Sequence, residues 1–110
     1  MKLLTRSLIL KFPPLESTDR INPEKIKIPC KFILPGTIWE WFPYEFNGED
    51  TFFGLVKGDY TELGYFTLDE LHQKKGPFMA HVERDKFFSS CKLSELLEKR
   101  LKSYDKSVGK

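Results

Sequence analysis

Apolar residues recur at every second position from Ile26 through Ile28, Cys30 and Phe32 to Leu34, with Lys25, Lys27 and Lys31 between them. That alternation predicts a strand with one buried face. Pro29 has no amide to give a sheet ladder, so the strand is expected at a sheet edge, with position 29 turned to solvent or at a bulge. Pro35-Gly36 makes a turn, and Thr37 to Phe46 reads as a second strand, rich in the aromatic and branched residues that a pleated surface favours. Asn47-Gly48 is a strong hairpin signal. Strands follow from about Thr51 to Lys57 and from Leu63 to Thr67, separated by a turn at Gly58 to Thr61.

Helical spacing appears in three places. Thr5 is placed to cap a short helix reaching Phe12, which Pro13-Pro14 must stop. Thr67-Leu68-Asp69-Glu70 is a capping box ahead of a short helix through Gln73, ended by Gly76-Pro77. From Leu93, the residues Leu96, Leu97, Leu101 and Tyr104 share one stripe of an amphipathic helix. Leu15 to Glu24 reads as a surface connection, and periodicity does not decide between strand and irregular chain from Phe78 to Phe88. The fold class expected is α+β: an antiparallel sheet of about four to five strands with a short N-terminal, a short middle and a C-terminal helix. A chain of 110 residues fits one domain, taken as 1–105, with 106–110 as a frayed tail.

The aromatic hairpin changes the picture most. With a two-residue Asn47-Gly48 turn, Phe42 opposes Phe53, Trp41 opposes Gly54, Trp39 opposes Val56, and Glu45 opposes Asp50. Ile38, Phe42, Tyr44 and Phe46 then face one way, while Trp39 and Trp41 face the other. Both sides of the strand are aromatic, so either the fold covers both or the two indoles form part of a patch that receives a ligand or partner, as tryptophans at interfaces do.

Charge adds a constraint. The net charge is +2, yet residues 38–56 hold four acids (Glu40, Glu45, Glu49, Asp50) and no Lys or Arg. Like charges facing one another destabilise a hairpin. The conflict is removed by a four-residue turn, Asn47 to Asp50, by Arg84 packing against the acids with its planar fork, or by a divalent cation.

No catalytic signature accompanies these features. A nucleophile elbow, a phosphate-cradling glycine run and a Gly-Lys-Ser/Thr are all missing. His72 and His81 share no metal-ligand spacing with Cys30 or Cys91, and the cysteines read as free apolar residues of a reducing compartment. No cofactor is expected. The N-terminal run is interrupted by Arg6 and Lys11, and no apolar stretch is long enough to cross a membrane, so the expected location is cytoplasmic, with no membrane partner. Lys25, Lys27 and Lys31 beside the aromatic strand suit single-stranded nucleic acid in principle, but the carboxylates among the aromatics oppose it.

The blocks Asn47-Gly-Glu-Asp-Thr-Phe-Phe-Gly-Leu-Val-Lys-Gly58, Glu62-Leu-Gly-Tyr-Phe-Thr-Leu-Asp-Glu-Leu71, Val82-Glu-Arg-Asp85 and Leu93-Ser-Glu-Leu96 resemble a family of small bacterial proteins classed as a domain of unknown function. The resemblance implies a setting on plasmids, conjugative elements and phages, and no activity or catalytic residue to carry over. The expectation is a non-enzymatic protein-interaction domain, one form being an inhibitor of a host defence system, monomeric or weakly dimeric. Its partner-binding residues are expected to be Trp39, Trp41, Glu45, Glu49, Asp50 and Arg84. The alternatives are a small metal-assisted hydrolase using Glu45, Glu49 and Asp50, and a single-stranded nucleic-acid-binding module.

Overall fold

The computed structural model describes residues 2–97. Thr5 accepts a hydrogen bond from the Leu8 amide at 3.2 Å and starts α1 (Arg6–Ile9), shorter than its spacing suggests. Turns through residues 15–20 and a 3-10 turn at Pro23–Lys25 lead to β1 (Lys27–Ile28) and β2 (Phe32–Ile33). The aromatic strand is β3 (Glu40–Phe46), followed by β4 (Thr51–Lys57), β5 (Thr61–Thr67) and α2 (Leu68–Gln73). A 3-10 turn at Pro77–Met79 precedes β6 (Glu83–Arg84) and β7 (Cys91–Lys92). Residues 93–97 are helical; Leu101, Tyr104 and the tail 106–110 lie outside the described residues.

Five strands form one antiparallel sheet in the order β5-β4-β3-β2-β6, and β1 pairs with β7 in a separate two-stranded ribbon. With its helices, this is the α+β class. The expected single strand from Ile26 to Leu34 is split. Its period-two residues are all buried, but Ile26 and Ile28 join one core while Cys30, Phe32 and Leu34 join the other. Pro29 sits at the break, where the ladder has no amide to use and the chain passes from the ribbon into the main sheet. The second half, β2, is not an edge strand, because β6 pairs along its outer side.

Each face of the sheet carries a packed core. On the first, Trp41, Phe46, Phe52 and Phe66 pack with Phe32, with Leu71 of α2 and with the N-terminal Leu3. Phe46 and Phe66 stack on Phe52 from either side, with ring centres 4.5 and 5.3 Å away. On the second, Phe42, Tyr44 and Leu55 pack with Ile26, Ile28, Leu93 and Leu96.

The β3–β4 register departs from the two-residue turn: away from the turn it is the register that a four-residue turn sets, whereas beside the turn Phe46 lies opposite Phe52 rather than Thr51, one residue further on. Trp41 pairs with Val56, Phe42 with Leu55, Pro43 with Gly54 and Phe46 with Phe52. Glu45 therefore lies opposite Phe53, and the clash with Asp50 does not arise. A bulge between Pro43 and Glu45 inserts one extra residue into β3. An insertion of one residue reverses the alternation of faces. Phe42 and Tyr44 consequently point into the second core while Phe46 joins Trp41 in the first, against the expectation that all three share a face. Gly54 is part of this device: a Cβ there would stand 2.2 Å from the Phe42 carbonyl oxygen, so no other residue fits opposite Pro43.

Candidate functional site

The first face is not sealed along its whole length. Gly64 of β5 lies opposite Gly54, and a Cβ built on Gly64 meets nothing within 4 Å. Two facing residues without side chains leave a gap in the layer that α2 lays over the sheet. The gap opens into a cleft of about 490 Å³. Trp39, Trp41 and Val56 line one side, Glu62 and Phe66 of β5 the base, and Glu70 and Leu71 of α2, with Lys74 directly after the helix, the other wall.

Local chemistry holds α2 in place. The Thr67 hydroxyl accepts from the Glu70 amide at 3.1 Å, and Leu71 is buried against the sheet. The Leu68 amide donates to the Asp50 carbonyl at 2.9 Å, which fastens the β3–β4 turn to the first turn of the helix. Exposed Asp69 and Glu70 stand in the first turn of α2, and Glu70 lines the cleft.

Trp39 and Trp41 are brought together as a stacked pair, 5.7 Å between ring centres and 24° between planes. Trp41 is buried at 4% exposure, and Trp39 is half-buried. The Trp39 ring is wedged over Gly58, where a Cβ would come within 2.3 Å of it, and the Lys74 ammonium stands 3.8 Å from its centre. Trp41, expected opposite Gly54, pairs instead with Val56, and the indole that covers a glycine is Trp39 over Gly58.

The acids separate. Glu45 is 1% exposed, and its carboxylate accepts from the Glu16 amide at 2.8 Å, the Thr18 amide at 3.1 Å and the Thr18 hydroxyl. Three donors satisfy a buried charge without a cation. Glu49 and Asp50 lie exposed on the turn, whose centre is Asn47: its Oδ1 accepts from the amides of Glu49, Asp50 and Thr51 at 2.9, 2.9 and 3.0 Å. Hydrogen bonds from the Asn47 amide and the Thr51 hydroxyl hold the Asp50 carboxyl below its ordinary value.

Arg84 is not the partner of these acids. It lies on β6, beyond β2, and its Nη1 donates to the carbonyls of Lys2 and Leu3 at 3.1 and 3.0 Å, tying the N-terminal segment to the sheet edge. It borders a separate hollow of about 290 Å³. Among the described residues, no group of three His, Cys, Asp or Glu side chains converges on a point that could hold a metal.

The family model for the protein of unknown function DUF2958 matches residues 15–103. The chain belongs to that family. No curated protein and no solved structure matches it. The DUF2958 match takes in every cleft-lining element, from β3 to α2. Glu62, Gly64, Glu70 and Lys74 have no sequence motif that joins them to the indoles. The one usable signal was Gly64, an isolated glycine inside a strand pattern, which marks a bulge or a close approach. No helix of the described residues is long and apolar enough to cross a membrane.

Proposed function

We propose that this DUF2958 chain is a non-enzymatic binding domain of a mobile genetic element that acts in the cytoplasm and engages a protein partner through the cleft beside Trp39 and Trp41. Inhibition of a host defence system is the specific form of that role. The observation that carries the reading is the stacked indole pair lining an open cleft of about 490 Å³. Concave sites with aromatic walls and a few polar groups are where ligands are ordinarily received, and tryptophans supply much of the energy at protein interfaces. Of the acids first considered for this surface, exposed Glu49 and Asp50 are available to a partner, whereas Glu45 is committed to Glu16 and Thr18.

The test is affinity capture from host lysate with the wild-type chain and with Gly64→Val. Valine suits a strand, and its Cβ meets no neighbour, so the fold is retained while the cleft is filled. A partner held by wild type and lost by Gly64→Val supports the reading. Equal recovery by both removes the cleft from the interface.

A further inference from the structure

The aromatic cleft already holds a cation, and the chain itself provides it. Lys74, at the C-terminal end of α2, places its ammonium 3.8 Å from the centre of the Trp39 ring. The ring quadrupole attracts a cation placed over an indole face, more strongly where water is partly excluded, and Lys74 is half-buried. Glu70 lies four residues before Lys74, the spacing at which a lysine on a helix ordinarily meets a carboxylate. Both ion pairs among the described residues are nevertheless made by Lys31, so the Lys74 ammonium lies on the indole rather than on Glu70. The exposed carboxylates of Glu62 and Glu70 line the same cleft.

We propose that the cleft receives an arginine side chain of the partner protein, laid over Trp39 with Glu62 and Glu70 as counter-charges, and that Lys74 is the resident it displaces. Arginine fits better than lysine for two physical reasons. Its guanidinium is flat and weakly hydrated, so it stacks on an indole at a smaller desolvation cost, and its fork of donors engages carboxylates in pairs. About 490 Å³ of the cleft stays open beside Lys74, which is one of its walls. This inference rests on the cleft being the partner-binding face.

The test titrates the full chain with a capped glycine-arginine-glycine tripeptide and with its citrulline analogue, which has nearly the same shape and no charge. The two indole N–H resonances report on the site. The arginine peptide is expected to shift the Trp39 resonance saturably and the citrulline peptide to leave it in place. Lys74→Met, which keeps the stem and removes the ammonium, is expected to tighten arginine binding about threefold. The double change Glu62→Gln and Glu70→Gln is expected to weaken it by at least as much. Equal shifts from the two peptides, or binding unchanged or weakened in Lys74→Met, would overturn the proposal. Failure here, with partner capture still lost in Gly64→Val, leaves the cleft as the interface and removes only the arginine. The converse result, arginine bound as expected but capture indifferent to Gly64→Val, removes the partner reading and keeps the cation site.

Discussion

The ring of Trp39 rests against the backbone of Gly58 so closely that a methyl group on that glycine would stand 2.3 Å from the indole. Gly58 is thus required for space beside Trp39, which lines the cleft. Gly58→Ala must displace the indole or the strand end, a form of overpacking that costs about 1–3 kcal/mol. The displaced ring should also be more open to solvent. Denaturant melts and acrylamide quenching check the two effects, and a variant with wild-type stability and quenching would show that Trp39 is not seated on this glycine.

Glu45 is the one buried acid among the described residues, and its removal leaves the Glu16 amide, the Thr18 amide and the Thr18 hydroxyl without their acceptor. Unsatisfied buried donors cost about 1–3 kcal/mol each before relaxation and water entry. Glu45→Ala is therefore expected to lower stability by roughly 2–4 kcal/mol. Glu49→Ala, on the exposed turn, should stay within about 0.5 kcal/mol of wild type. Urea midpoints for the two variants would refute the assignment if they moved by the same amount.

Asn47 organises the β3–β4 turn through one oxygen that accepts from three amides. Asn47→Ala is expected to destabilise by about 1–2 kcal/mol, in the range of a lost helix cap. Because the Asp50 carbonyl anchors the first amide of α2, hydrogen exchange at Leu68 should quicken in the same variant. Unchanged protection at Leu68 would mean that the turn and the helix are not coupled.

Two weak acids are held neutral in the interior. Burial pushes the Cys30 thiol up from 9.0 to about 12, the nearby Arg84 charge opposing the shift. Burial, followed by the negative charges of Glu45 and Asp19, raises the Tyr44 hydroxyl from 10.0 to about 12. Each group binds its proton more tightly folded than unfolded, so stability is complete below about pH 9 and falls as pH climbs from there towards 12. Tyr44→Phe should flatten the part of that decline above pH 10, read by alkaline denaturation followed by circular dichroism. An identical alkaline profile for variant and wild type would rule out the contribution of Tyr44.

Phe78 and Met79 carry left-handed backbone, with φ of 56° and 61°, and both side chains are exposed. Such backbone strain is of order 1 kcal/mol for a residue with a Cβ, and nothing buried offsets it here. Phe78→Gly is expected to leave stability unchanged or raise it by up to about 1 kcal/mol. A thermal midpoint lowered by several degrees would show instead that the Phe78 ring makes a stabilising contact.

Some of this protein was written in short stretches of sequence. Thr5 and Thr67 cap the helices that follow them, Asn47 builds its turn, and the alternating residues from Ile26 to Leu34 are all buried, because these outcomes depend on atoms a few residues apart or on hydrophobicity alone. Which core each residue enters was settled elsewhere. The crossing at Pro29 and the bulge after Pro43 exchange the faces of the sheet, and a bulge exists only in relation to the strand it pairs with. The same holds for the acids and the cleft. Glu45 found its donors 27 and 29 residues away, and the indole site needed Gly64 and Lys74 from elements that approach β3 only once the sheet and α2 have packed. Capping and turn chemistry is local and legible one residue at a time, whereas the side a strand presents and the group a buried carboxylate meets are properties of pairings that the folded chain alone makes.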